Sequence, residues 1–236
     1  MTAIPLALIG MGRMGHALAA LAPERGFDVV AQIDHGQRVT RDSLGSAIVA
    51  IEFSVPNAAV ANILACATAR CSVVVGTTGW YAELPRVRAE IERIGAAMLH
   101  APNFSVGVAI FDRVIAEAAR LFAGVGSFDA HLVETHHAAK KDAPSGTAAS
   151  LSRTAQQASG KPMPITSVRV GSVPGTHEVI FDAPFEQVRL VHEARDRRVF
   201  AEGALAAARW LVGRRGVFTM QDVLTSAAPT PHSQQP

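Results

Sequence analysis

In the stretch ETHHAAKKDAPSGTA, residues 134–148, two adjacent histidines, two adjacent lysines and a Ser-Gly-Thr turn share fifteen positions. His136 can carry a proton near neutrality, and Lys140, four positions on, adds positive charge. Gly146 and Thr147 open a helix-like run, where backbone N–H groups favour anions. Imidazole, ammonium and amides together suit a substrate with carboxylates that must also accept a proton. Two other readings stay open at this point. One is a solvated polar loop. The other is a metal site, although His131, His136 and His137 have no clear carboxylate or thiolate companions.

A second centre lies near the start. Gly10-Met11-Gly12-Arg13-Met14-Gly15 has the spacing GxGxxG, and it closes a strand-like run and opens a helix-like one. Gly10 permits a tight turn, Gly12 lets backbone approach a pyrophosphate, and Gly15 lets helix and strand pack closely. Asp34 ends the next apolar run, 19 positions after Gly15, where a carboxylate can accept from a ribose diol. That carboxylate repels a 2′-phosphate, which favours NAD(H). His35, Arg38 and Arg41 follow it closely and could bind that phosphate, so NADP(H) stays possible.

The elements that must position these groups change character along the chain. Strand-like runs at 4–9, 27–34, 46–54, 72–78 and 97–103 alternate with helical runs at 13–25, 58–70 and 83–96. Continuous apolar strands between helices argue for α/β architecture, a Rossmann-type parallel sheet covered on both faces. Ligands of such a sheet sit at the carboxyl ends of its strands. That places Gly76, Thr77 and Thr78 there, and also Pro102, Asn103 and Phe104. Thr77 and Thr78 can also be turn formers, and Asn103 can cap the following helix. After a long helix at 107–122, the segments 128–137, 167–183 and 185–194 alternate in antiparallel style. They suggest a second, mixed α+β domain. On the strand 128–137, His136 shares a face with Glu134 and His137 points the other way.

The expected boundaries are a dinucleotide-binding domain over 1–105 and a substrate and oligomerisation domain over 106–206. A return to the first domain is expected over 207–225, and the small, polar tail 226–236 is expected to be disordered. Net charge is only +2 with scattered Lys and Arg, so no nucleic-acid partner is expected. No apolar run approaches the roughly 18 residues of a membrane helix. The chain begins as a strand with no basic leader, and a cytoplasmic location is expected. Cys66 and Cys71 lie in or beside an apolar segment and read as buried thiols rather than a redox pair.

The stretch VETHHAAKKDAPSGTA resembles the signature of the 4-hydroxy-tetrahydrodipicolinate (dihydrodipicolinate) reductase family. GMGRMG, FSVPN, VVVGTTGW, PNFSVGV, RVGSVPGTHEVIF and GVFTMQDVL look like family segments in family order, covering about 4–225. The resemblance implies reduction of a cyclic imine dicarboxylate by NAD(P)H in the diaminopimelate–lysine route. It implies His136 as proton donor and acceptor and Lys140 as a second proton donor. His137, Gly146 and Thr147 match substrate-binding positions. Gly10, Met11, Gly12, Arg13, Met14, Gly15, Asp34, Gly76, Thr77, Thr78, Ala101, Pro102, Asn103 and Phe104 match cofactor contacts. It also implies a homotetramer; from the residues themselves no metal is expected. The connection from Asp34 to FSVPN is shorter than in many members, and Pro102 and Glu52 stand where Ala and Asp are common.

Two rivals are carried forward. A different two-domain dehydrogenase, acting on an amino acid or a semialdehyde, would use the same plan. A phosphorylating semialdehyde enzyme would need a nucleophilic cysteine, and both cysteines sit in the cofactor half. A nucleotide-sensing protein without catalysis would keep the fold, but it would have no need of His136 and Lys140.

Overall fold

Short β-branched and aliphatic runs cannot cover their own backbone groups unless they pair side by side, and here they pair. The computed structural model describes residues 2–196 and 198–227. In chain order the elements are β1 (Ile4–Ile9), α1 (Arg13–Leu21), β2 (Phe27–Ile33), α2 (Arg41–Leu44), β3 (Val49–Glu52), α3 (Pro56–Thr68), β4 (Ser72–Val75), α4 (Leu84–Ile94) and β5 (Ala97–His100). There follow α5 (Val106–Val125), β6 (Asp129–His136), α6 (Gly146–Ser159), β7 (Ile165–Arg169), β8 (Thr176–Ala183) and β9 (Glu186–Glu193). The last are α7 (Arg198–Leu211), β10 (Gly216–Phe218) and α8 (Met220–Ala227). The described residues fall into two units, one up to Phe104 and again from Phe200, the other Ser105–Val199.

The first unit holds a six-stranded sheet in the order β10-β5-β4-β3-β1-β2, parallel throughout. All of β3 is buried, as strands covered on both faces require. The chain runs from β1 to β2 on one side and then returns to β3 on the other. The strand order therefore reverses between β1 and β3, and the crevice at their carboxyl ends is the site such sheets offer to ligands. The helix expected over 13–25 ends at Leu21; Pro23 lacks an N–H, and Pro23–Arg25 form a separate 3₁₀ turn.

The second unit has a four-stranded sheet, β7-β6-β8-β9, with Phe111, Ile115, Leu132, Leu151, Val179 and Phe181 in its core. The antiparallel expectation holds for β6, β8 and β9 but not for β7, which lies parallel to β6. The reason is α6: a helix between two neighbouring strands carries the chain back to the end where it began, which makes the pair parallel.

The return to the first unit begins at Phe200, not at 207. In α7, Ala201, Gly203, Ala204 and Leu205 are already buried. Gly203 lies so close to the Phe104 carbonyl that a Cβ would overlap it. Gly203→Ala should therefore destabilise the chain by about 1–3 kcal/mol, the usual cost of overpacking. Thermal unfolding of variant and parent checks this, and an unchanged midpoint would refute the close fit. α8 runs through Ser226 and Ala227, the first residues of the expected tail; the rest of that tail, 228–236, lies outside the described residues. Among the described residues no helix is long and apolar enough to cross a membrane.

Candidate functional site

Gly10 sits at φ +90°, and a Cβ there would overlap the Phe53 carbonyl just past β3. A Cβ on Gly15 would overlap the Gly10 carbonyl, so the first turn of α1 is pressed onto the loop. Gly12, which caps α1, has nothing within 4 Å of where its Cβ would be. The loop is tight on the protein side and open on the other, as an approaching pyrophosphate requires. Arg13 is exposed, and Met11 and Met14 are half-buried. The Met11 N–H donates to Asp34 Oδ1 at 3.2 Å, which ties the loop to the end of β2. Amides of His35 and Met11 hold the Asp34 carboxyl below its ordinary value. A cavity of about 480 Å³ is bounded by Gly10, Gly12, Asp34, His35, Phe53 and Asn57. These residues fit the adenosine and pyrophosphate of a dinucleotide. Arg41 is turned elsewhere, donating to the Ala69 carbonyl at 3.4 Å, while Arg38 is exposed.

The ends of β4 and β5 supply the remaining residues of this half. A Cβ on Gly76 would lie inside the Phe53 ring, and Phe53 meets Phe104 edge-on with ring centroids 5.8 Å apart. Phe53 was not singled out in the sequence; its neighbours in FSVPN gave no chemical signal, yet it packs the ends of β1, β4 and β5 together. Thr77 is buried, its Oγ1 has no partner among the described residues, and its carbonyl accepts from Trp80 Nε1 at 2.8 Å. Thr78 and Pro102 are exposed, Ala101 is buried and Asn103 half-buried. Asn103 does not cap α5; Ser105 does, its hydroxyl accepting from Val108 N–H at 3.2 Å.

In the second unit, strand alternation puts Glu134 and His136 on the face of β6 that the helices cover, and both are buried. Glu134 Oε2 accepts from His136 Nδ1. Its other oxygen accepts from Arg169 Nη2 at 2.6 Å and from the Ser145 N–H at 3.3 Å. Burial raises the Glu134 carboxyl, but hydrogen bonds from Arg169 and Ser167 and the charge of His136 outweigh it and hold it at about 2. Burial lowers His136 below 6.5; Glu134 pulls it up, and Lys140 and Arg169 push it down. His177, opposite Glu134 on β8, stacks edge-on to His136 at 5.3 Å, and burial lowers it to about 4. Arg169 and His177 escaped the sequence reading because they lie 35 and 43 residues from Glu134 (169 − 134 and 177 − 134), and only strand register brings them in.

Lys140 reaches the same region but is held by Asp142, with Nζ 2.8 Å from Oδ1. His137 lies just beyond β6, half-buried, its carbonyl accepting from the Lys140 N–H at 3.0 Å. Gly146, exposed, and Thr147, half-buried, form the first turn of α6 behind the Ser145 cap. His136, Lys140, Gly146 and Thr147 therefore belong to one loop-and-helix-start cluster.

Glu134, His136 and His177 have ligand atoms within 4.8 Å of one another. They do not suit a metal ion: one carboxylate oxygen is committed to a guanidinium and the other to the imidazole, leaving too few donors. Burial pushes the Cys71 thiol up to about 12 and the Cys66 thiol well above its ordinary value, so neither is a ready nucleophile.

A parallel sheet with a glycine-rich β1–α1 turn, joined to a unit bearing a basic, imidazole-containing cluster, is the architecture of a nicotinamide-dependent oxidoreductase. Residues 4–104 match the family model described as dihydrodipicolinate reductase, N-terminus, and residues 107–224 the one described as dihydrodipicolinate reductase, C-terminus. The chain belongs to the dihydrodipicolinate reductase family. It is 34% identical to a 4-hydroxy-tetrahydrodipicolinate reductase of Christiangramia forsetii, over 93% of this chain and 97% of that one. It is 39% identical to one of Methanoculleus marisnigri, over 75% of each. Its fold resembles that of the dipicolinate-bound dihydrodipicolinate reductase from Paenisporosarcina sp. TG-14, with a TM-score of 0.77, 20% identity, and coverage of 92% of this chain and 98% of that one.

Proposed function

We propose that this protein reduces a cyclic, unsaturated imine dicarboxylate, the 4-hydroxy-tetrahydrodipicolinate for which its relatives are named, in the diaminopimelate–lysine route. The observation that carries the reading is a buried imidazole held by an anionic carboxylate, beside a lysine and a helix start. A bound nicotinamide supplies the hydride. Gly10, Met11, Gly12, Arg13, Met14, Gly15 and Asp34 hold its adenosine and pyrophosphate, and Gly76, Thr77, Thr78 and Ala101–Phe104 hold the nicotinamide end. Loss of water from the 4-hydroxy compound gives the conjugated C=C–C=N system of dihydrodipicolinate, and hydride addition to that system would drive negative charge toward the ring nitrogen. His136 then delivers a proton, with Lys140 as the second donor. Lys140, His137 and the first-turn amides of Gly146 and Thr147 hold a carboxylate in place, so that the ring is presented in a reactive geometry.

The lowered pKa of His136 fits this role only if the substrate corrects it, and a dicarboxylate does. Two negative charges beside the imidazole raise its pKa. Pyridine-2,6-dicarboxylate, a planar mimic, should therefore take up a proton as it binds near pH 7. Calorimetry in buffers of different ionisation enthalpy measures this. Uptake should vanish in His136→Ala, and affinity should fall in Lys140→Ala. Binding without proton uptake would separate His136 from the anion site.

Two finer points belong to the same proposal. NADH is the preferred cofactor, supported by the Asp34 carboxylate at the ribose position and by the engagement of Arg41 elsewhere. The protein works in the cytoplasm as a homotetramer. Supporting assembly, the face of the second sheet turned away from its helices carries Val133, Val168, Ile180 and Val191, with Val168 and Val191 exposed. A second copy would cover that face.

The deciding experiment generates substrate in situ from pyruvate and aspartate semialdehyde and follows NADH and NADPH oxidation separately. No oxidation of either cofactor would return the nucleotide-sensing alternative to the front.

A further inference from the structure

Within the cluster, the Glu134 carboxylate is fully buried and meets four groups: His136 Nδ1, Arg169 Nη2, the Ser145 N–H and Ser167. Arg169 is itself fixed, donating to the Asp142 carbonyl at 2.6 Å and, through Nη1, to the Val168 carbonyl at 2.7 Å. The other imidazole nitrogen, Nε2, faces Gly175. A Cβ at that position would stand 3.0 Å from Nε2, so a glycine keeps the space in front of this nitrogen open.

We propose that Glu134 and Arg169 are positioning residues that fix the tautomer of His136, binding Nδ1–H so that Nε2 alone gives and takes the catalytic proton. The proposal rests on the reading of His136 as proton donor. A neutral imidazole has one N–H, and a carboxylate that stays ionised draws it to the nitrogen it contacts. Glu134 stays ionised because Arg169 and Ser167 stabilise its charge. It cannot accept the Nδ1 proton at working pH, so a protonated His136 can lose only the proton on Nε2. Arg169 has a second effect. By sharing the carboxylate and adding its own charge, it limits how far Glu134 can raise the imidazole.

The groups around His136 give the two variants opposite signs. Facing it are Glu134 on its own strand, Arg169 on β7, His177 on β8 with His192 beyond on β9, and Lys140, Asp142 and Ser145 in the loop to α6. His177 is neutral at working pH, since burial holds it at about 4. Glu134→Gln removes the one attraction that raises His136 and leaves the repulsion of Arg169 and Lys140. The alkaline limb of kcat/KM should move to lower pH by roughly one unit. Arg169→Gln removes a repulsion and frees the carboxylate, so the limb should move to higher pH. Glu134→Asp keeps the charge and should recover part of the Glu134→Gln shift. A role in folding alone would not move the limb in opposite directions.

The test joins these profiles to ¹⁵N NMR of the wild-type His136 ring above its pKa, a readout that needs no turnover. The expected result is protonation at Nδ1, with opposite limb shifts in the two variants. Protonation at Nε2, or shifts of the same sign, would overturn the proposal. If the variants do not fold, the wild-type tautomer decides alone. If wild type oxidises no cofactor with the coupled substrate, the functional reading fails, and the ring spectrum still decides the tautomer.

Discussion

His136→Ala should lower turnover by about 10²–10⁴-fold, the usual loss when one positioned general acid is removed, and should leave NADH affinity close to that of the parent. The separation follows from where the residue lies. His136 is buried in the second unit, whereas the Gly10–Gly15 loop, Asp34 and the cavity they bound are all in the first. The pH dependence gives a second signature. Burial sets His136 below 6.5, and the dicarboxylate substrate raises it again. A general acid works while protonated, so kcat/KM is highest below the His136 pKa and falls as pH rises through it. In His136→Ala that alkaline limb disappears along with most of the rate. Under the proposed function Lys140→Ala should lower turnover as well and also raise KM, because its ammonium is proposed to hold a carboxylate of the substrate. Steady-state rates with the coupled substrate, set beside NADH titrations followed by fluorescence, check both. Near-parental turnover in a double variant would end the assignment.

What the sequence makes legible depends on how far apart in the chain the partners lie. The glycine loop, the strand before it and Asp34 fall within one βαβ stretch, and local pattern is enough to place them. Alternation along β6 is also local, and it puts Glu134 and His136 on one face without any structure. Arg169 is different. Its place depends on β7 lying parallel to β6, so that Arg169 falls opposite His136. The period-2 pattern of 165–169 is the same in a parallel and an antiparallel pair, so the pattern carries no direction. His177 needs the β6–β8 register in the same way. The boundary at Phe200 was hidden for a related reason. Apolar residues recur through α7 from Val199 to Leu211, so the pattern marks no break at 207; the contact of Gly203 with Phe104 and the pairing of Glu202 with Arg25 show which core its first turns join. Phe53 illustrates a third limit. An aromatic after a buried strand reads as ordinary core, while here its ring leaves no room for a Cβ at Gly76 and meets Phe104 edge-on.

Asp34→Ala should weaken NADH and improve NADPH relative to it, so that the ratio of their kcat/KM values turns toward NADPH by about 10–100-fold. The size follows from two contributions that act on the same ratio. A charge-assisted hydrogen bond to the ribose is worth about 1.5–3 kcal/mol, and NADH loses it. A 2′-phosphate near the parent carboxylate meets like charge, and NADPH is relieved of it. Part of the gain is offset locally. Asp34 also accepts from the Met11 N–H, so its removal loosens the glycine loop for both cofactors. That loss lowers both kcat/KM values and cancels in their ratio. The surrounding cations set the ceiling. Arg41 is directed toward the Ala69 carbonyl, one of its N–H groups donating there at 3.4 Å, and exposed His35 and Arg38 lie nearer Asp34 in the chain. Asp34→Ala with Arg38→Ala should therefore lose the NADPH gain but keep the NADH loss. Kinetics with both cofactors on parent, single and double variants measure each step. A parent that already uses NADPH far better than NADH would show that Arg38 or His35, rather than Asp34, governs the pocket.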